Sequence, residues 1–326
     1  YLQKFREHYL SISKWFMENM IDNGMCVGVN VYSSQWHTIA DRLRSMGFKD
    51  HPSLKEDLCA FGSGDFKNFD GRQHEIILWK IFDIIVMVSK VDGEQKEIMR
   101  LLWLELVQSK HVYGGDLYEW RGSLPSGHPF TVFVNCLYNL FLFQYSWLRA
   151  VEESPYEAAD KPILKMSFWD YNFLVVYGDD NIFSCAPHVH DFFNEIKLVE
   201  FMAELNMTYT TDKKGKVEQP FRSFKDVGFL KRGFYFSPVV RRYVGMKDLK
   251  SIMESLRWTK KGKEADNIVC SNIDNAILEL SLHPKETFDQ WVDLIVSIGK
   301  LHLNHIPVTV NYQRAVLKCS CSIFEL

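Results

Sequence analysis

Residues 172–185 read NFLVVYGDDNIFSC. Two runs rich in β-branched and aromatic residues flank a Gly-Asp pair, which supplies the positive φ and the local backbone bonding that a tight reversal needs. The segment therefore predicts an antiparallel hairpin, and with it a sheet somewhere in the chain. It also leaves Asp179 and Asp180 side by side at the tip, with no Lys or Arg beside them in sequence. Taken alone, such a tip is more often a turn than a site. Two carboxylates on rigid strands become half of a divalent-metal site only if a third stands elsewhere.

The rest of the chain supplies helices around that sheet. An amphipathic helix is predicted over Phe5–Asn19, and a second over SSQWHTIADRLRSMG, capped by Ser33 or Ser34 and ended by Gly47. A short strand in LCAFGSGDF precedes QHEIILWKIFDIIVMVSK, apolar on nearly every side and so expected to be a buried helix. Another helix is expected in EQKEIMRLLWLELVQSK, and hairpin and loop in HVYGGDLYEWRGSLPSGHP; Pro129 opens a helix running to about Arg149. SPYEAADKP reads as a surface linker. A helix through HDFFNEIKLVEFMAELN, a loop TDKKGK and a strand pair around DVGFLKRGFYF follow, and from Val240 the pattern is helical, broken at Pro284 and Pro307. The order argues an α+β unit plus a helical C-terminal unit, and 326 residues with 47% hydrophobic content suffice for two or three compact units.

Composition excludes some alternatives. The apolar stretch Phe130–Phe143 is broken by Asn135 and Asn139 and falls short of the roughly 20 residues a membrane span needs. Seven cysteines, odd in number and without a C-x-x-C pair, indicate reduced thiols in a cytosolic setting, and Cys319 with Cys321 has no second cluster to complete a metal site. The net charge of −3 hides a basic block from Lys231 to Lys263, ten Lys or Arg against Asp248 and Glu254, which suits either a polyanion contact or a solvated helix face. A start at Tyr1 without Met reads as a fragment or a piece of a longer polyprotein.

Three separated pieces converge on the hairpin tip. In GDFKNFDG, Asp70 alone would be read as a helix N-cap, but Asp65, at a strand end, has no capping role and supplies the third carboxylate. After Pro129, Thr131, Asn135 and Asn139 recur every four residues, a polar stripe on an apolar helix that must find partners. Another side chain of the stripe or neighbouring backbone satisfies Asn139 on this reading, whereas Asn135 and Ser126 are placed to bind a sugar hydroxyl. The array D-x4-D, S-G-x3-T-x3-N and G-D-D, in that order, is far more specific than any one motif.

The whole array resembles the palm of a viral RNA-dependent RNA polymerase. CVGVNVYSSQWHTIADRL, FLKRGF and MKDLKSIMESLRWTKKG resemble further segments of the picornavirus-like polymerases, including insect and marine relatives, so the likeness covers nearly the whole chain. It implies a right-hand fold: residues 1–57 as residual fingers and palm lead-in, 58–75 palm, 76–119 a fingers insertion, 120–237 palm and 238–326 a helical thumb. The basic fingertip segments that precede this region in such polymerases are absent, so the chain is read as palm and thumb of a truncated enzyme.

The implied activity is template-directed RNA synthesis by two-metal nucleotidyl transfer, replicating a positive-strand genome. Asp65, Asp179 and Asp180 would hold magnesium, with manganese the alternative, and Lys213, or Lys214 beside it, would protonate the leaving pyrophosphate. Asp70, Ser126, Gly127 and Asn135, supported by Thr131, would bind the nucleotide and its 2′-hydroxyl. Lys231 and Arg232 would hold the primer, and Arg257, Lys260 and Lys261 the exiting duplex. Template and primer RNA, NTPs, a protein primer and other replication proteins are the implied partners, at membrane-associated complexes in the host cytoplasm. A reverse transcriptase and an inactive palm-shaped RNA-binding scaffold are the rival readings; the polar residues Asp70, Asn135 and Ser126 argue against the first and the retained carboxylates against the second.

Overall fold

The hairpin at 172–185 forms, and it forms half of a four-stranded antiparallel sheet. The computed structural model describes residues 1–49, 59–262, 264–307 and 309–320. In chain order the elements are α1 (Leu2–Glu18), α2 (Ser34–Gly47), β1 (Phe61–Phe66), α3 (Glu75–Ser89), α4 (Gly93–Val107), β2 (Lys110–Tyr113), β3 (Asp116–Glu119), α5 (Thr131–Glu153), α6 (Lys161–Met166), α7 (Phe168–Tyr171), β4 (Asn172–Tyr177), β5 (Asp180–Cys185), α8 (Glu195–Glu204) and β6 (Tyr209–Thr211). Then follow β7 (Arg232–Ser237), β8 (Arg242–Lys247), α9 (Leu249–Ser255), α10 (Ala265–Leu280), α11 (Lys285–Leu303) and α12 (Tyr312–Ser320). They divide into two compact units, 1–28 with 43–227, and 29–42 with 228–326.

In the first unit the strand order is β4-β5-β1-β6. Register pairs Gly64 with Asn181 on one side and Asp65 with Thr210 on the other, so Asp65 lies one residue beyond that Gly64–Asn181 pair, toward the start of β5. Glycine permits this packing: a Cβ on Gly62 would stand 2.3 Å from the Phe183 ring, and one on Gly64 2.2 Å from the Tyr209 ring. Neither position tolerates a side chain. Helix α5 packs against α3, α8 and β4, burying Phe133, Val134, Tyr138, Leu142, Phe143 and Trp147. It runs to Glu153, four residues further than the sequence predicts.

Three expectations are corrected. Helix α3 is not enclosed: it buries Ile77, Leu78, Ile81, Phe82 and Ile85 but leaves Ile76 65% and Met87 70% exposed, because only one face of a helix meets the core. Helix α8 begins at Glu195, capped by the Asn194 side chain, and not at His190. After Val240 the chain first makes β8, a strand paired with β7, before any helix. β6, only three residues long, was not foreseen.

The second unit has its own core, built from Ile252, Ile277, Leu280, Phe288, Val292 and Val316 of α9–α12. Its β7–β8 hairpin carries Phe234, whose ring stacks on the fully buried Trp36 with centroids 5.0 Å apart. Pro284 stands at the N-cap of α11, as its breaking role requires. Cys319 is described, whereas Cys321 lies outside the described residues. Among the described residues no helix is long and apolar enough to cross a membrane.

Candidate active site

The hairpin tip is a two-residue connection, Gly178–Asp179, with Gly178 at φ 62° as a primed hairpin turn demands. Helix α5 holds this turn from below. The Cys136 thiol accepts a hydrogen bond from the Gly178 amide at 3.1 Å, and burial pushes that thiol up to about 12, so it stays protonated. One turn on, Asn139 Nδ2 donates to the carbonyls of Gly178 and Asp179 at 3.1 and 3.0 Å. The Asn139 amide nitrogen is thus satisfied by backbone, and the backbone is that of the tip. Its Oδ1 is buried without a hydrogen-bond partner.

Asp65, 6% exposed at the end of β1, accepts from the Phe66 amide at 2.7 Å. Asp179 is within hydrogen-bonding reach of Asp65 and feels the charge of Asp70; burial first, and Asp65 second, push Asp179 up to about 6. The lysine that meets this pair is Lys214, with Nζ 3.3 Å from Asp65 Oδ2, which raises the lysine's own pKa. Lys213 is exposed on the same loop. Of the two lysines considered for this position, the structure brings in the second.

Asp180 starts β5 opposite Tyr177. Among the described residues no group of three or more His, Cys, Asp or Glu side chains is gathered closely enough to hold a metal ion, so the expected trio is found as a contacting pair with Asp180 beside it in sequence. The pair still fits a hard cation. Magnesium is commonly held by one or two carboxylates, with substrate phosphates and water completing its shell, and a buried and a half-buried like charge in contact favour a divalent ion between them.

The polar trio assembles as its residue types require. Asn135 Nδ2 donates to Asp70 Oδ1 at 2.7 Å, and Ser126 Oγ to Asp70 Oδ2 at 3.2 Å. Thr131 Oγ1 donates to the Pro125 carbonyl at 2.9 Å and so steadies the turn bearing Ser126. Gly127, exposed with φ 90°, continues that turn. Asp70 caps no helix: it opens a short 3-10 turn, and His74 caps α3. Gln73 was missed by sequence reasoning; its Nε2 donates to Asn135 Oδ1 at 2.7 Å, fixing which way the amide faces. The need for a donor to that oxygen was the available signal.

A second omission lies behind β1. Arg222 donates to both carboxylate oxygens of Glu195 (3.1 and 2.9 Å), to Asp212 Oδ1 (2.6 Å) and to the carbonyl and hydroxyl of Ser63. The Asp212 amide also donates to the Ser63 carbonyl at 3.1 Å. The start of the lysine loop is thereby tied to the strand bearing Asp65.

In the second unit the basic residues separate. Arg232, expected to grip a primer, is instead consumed internally: its guanidinium forms a two-pronged ion pair with Glu279 at 2.7 Å, donates to the Gly245 carbonyl and lies over the Tyr32 ring. A buried charge must be paired, and all four terminal N–H groups of this one are taken within the chain, the fourth by the Tyr32 hydroxyl. Lys231, Arg257, Lys260 and Lys261 are exposed, the last three around Trp258. Leu230 and Lys231 both adopt positive φ in the turn that presents Lys231.

Residues 7–299 match the family model described as viral RNA-dependent RNA polymerase. The chain belongs to the viral RNA-dependent RNA polymerase family. This polymerase-family chain is 38% identical over 305 residues to the replicase polyprotein of Drosophila C virus (strain EB), covering 90% of the chain and 16% of that polyprotein. It is 32% identical over 295 residues to the replicase polyprotein of Cricket paralysis virus, covering 88% and 16%. The chain thus spans about a sixth of the length of these relatives. Among solved structures it resembles the Sicinivirus 3Dpol RNA dependent RNA polymerase, with a TM-score of 0.70 at 17% identity, over 97% of this chain and 60% of that one. That likeness establishes the α+β right-hand polymerase fold.

Proposed function

We propose that this polymerase-family chain carries the catalytic centre for template-directed RNA synthesis, joining an NTP to a primer 3′-hydroxyl with release of pyrophosphate, for a positive-strand RNA genome. One observation carries the reading: the Asp65–Asp179 pair stands within electrostatic reach of Asp70, whose carboxylate is already held by Asn135 and Ser126. A charge site for phosphate chemistry and a polar site for a ribose are therefore neighbours.

Asp65 and Asp179 would hold the magnesium, or manganese, ions, with Asp180 as auxiliary ligand; bound there, such ions neutralise the charge developing on attacking and leaving oxygens. Asp70 accepts a hydrogen bond from the ribose 2′-hydroxyl, with Asn135 and Ser126 fixing its carboxylate. A deoxynucleotide leaves that acceptor unpaired, which is the basis of discrimination. Lys214, on the loop after β6, can deliver a proton to the departing pyrophosphate, and Lys213 neutralises charge from the same loop. Lys231, Arg257, Lys260 and Lys261 bind RNA through its phosphates.

The domain limits 58–75 and 120–237 for palm, 76–119 for fingers and 238–326 for thumb belong to this reading, as do a protein primer and a membrane-associated site in the host cytoplasm. The test is primer extension on an RNA template by the chain within its longer protein, wild type against Asp179→Asn. Divalent-dependent incorporation lost in the variant supports the reading. RNA binding without incorporation by wild type favours a scaffold instead.

A further inference from the structure

We infer that Lys214 is the resident counter-cation of the Asp65–Asp179 pair, and that a divalent cation gains the site only as Lys214 leaves it. The inference rests on the metal-holding role proposed for that pair.

The geometry is one-sided. Asp65 is nearly sealed from solvent while the Lys214 side chain is 76% exposed. Such a pair places a cation against a buried carboxylate without burying the cation's stem. Withdrawal therefore costs little packing, and the charge left behind is one that water reaches poorly.

The backbone explains why Lys214 and not Lys213 makes the contact. The Lys214 amide donates to the Thr211 carbonyl at 2.8 Å, and the Gly215 amide to Thr211 Oγ1 at 3.0 Å, closing a tight turn in which Lys214 takes φ 60°. At its start, Asp212 is held by Arg222 and by the Ser63 carbonyl, two residues before Asp65. The loop is thus indexed to β1, and Asp212 and Arg222 act as positioning residues for the lysine. A divalent ion arriving at Asp65 Oδ2 meets the oxygen Lys214 occupies. Once displaced, the ammonium remains on a loop tethered beside the reacting centre, where a leaving phosphate can use it.

Manganese serves as the probe, its binding followed by electron paramagnetic resonance at low ionic strength on the chain without nucleotide or RNA. Four proteins are compared with wild type: Lys214→Ala, Lys213→Ala, Asp212→Asn and Asp65→Asn. Lys213→Ala removes the same charge one residue away and so measures the unspecific field. Lys214→Ala should bind manganese about fivefold more tightly, near the most that an exposed ion pair withholds, while Lys213→Ala stays within about twofold. Asp212→Asn should lie between them. Raising the salt should shrink the Lys214→Ala gain.

Equal effects of the two lysine variants, or no tightening in Lys214→Ala, would overturn the inference while leaving the metal site standing. Manganese binding that survives Asp65→Asn would overturn the metal site, and the inference with it.

Discussion

Replacing Asn139 with Leu should loosen the hairpin tip more than any other single change on α5. The side chain is fully buried and its Nδ2 serves the carbonyls of Gly178 and Asp179. Asp179's carbonyl keeps a longer bond from Asn181 Nδ2 at 3.3 Å, so the Gly178 carbonyl bears most of the loss. An unsatisfied buried carbonyl costs about 1–3 kcal/mol, and weakening the second adds about 1. Leucine removes the unpartnered Oδ1 and returns roughly 1 kcal/mol. The expected net destabilisation is about 1–3 kcal/mol, read from urea unfolding at fixed m-value. Asn139→Asp separates hydrogen bonding from shape: ionised, it turns oxygen toward both carbonyls, whereas protonated it can donate once. It should therefore be worse than leucine at pH 8 and milder than leucine at pH 5. A leucine variant within about 0.5 kcal/mol of wild type, or an aspartate variant indifferent to pH, would refute the clamp.

Three further outcomes follow. In metal-free buffer Asp179 holds its proton up to about pH 6 in the folded chain but loses it near pH 4 when unfolded, so stability should fall as pH rises across that window, by roughly 1–1.5 kcal/mol after discounting for solvent screening; Asp179→Asn should flatten the profile. Asn135→Ala and Gln73→Leu should each erode the preference for NTP over dNTP in primer extension, and undiminished preference in both would remove the ribose assignment. Arg232→Ala should destabilise by about 3–5 kcal/mol by stranding Glu279, whereas Lys231→Ala should leave unfolding within about 0.5 kcal/mol and lower the salt slope of RNA binding by about 0.7–0.9. Denaturation and salt-dependent binding titrations check the pair.

What the sequence made legible was local. The hairpin, α2 with its Ser34 start and Gly47 end, and the stripe of Thr131, Asn135 and Asn139 rest on spacing that any short window contains. Asp65 was legible because a carboxylate at a strand end has no capping role, whereas Asp70, alone an ordinary N-cap, stood out only through its place in the ordered array. What escaped depends on distant partners. Arg232 looks like one more base in a cationic run, and its burial is set by Glu279, forty-seven residues later, and by Tyr32, two hundred earlier. β8 reads as a basic helix start because two arginines precede its apolar residues, and only β7 makes it a strand. The choice between Lys213 and Lys214 turns on one backbone dihedral, to which composition is blind.

The two glycines of β1 have a consequence for how such a chain can vary over time. With rings from Phe183 and Tyr209 where any side chain would stand, the strand behind Asp65 is no thicker than its own backbone. A replacement at Gly62 or Gly64 has no single compensating change, since enlarging one position requires shrinking an aromatic residue on a neighbouring strand at the same time. In a saturation library these two positions should be as depleted as the carboxylates they adjoin, although neither carries a functional group. Mutational intolerance there would mark a steric lock on evolutionary drift, and a scan interpreted without the structure would mistake it for chemistry.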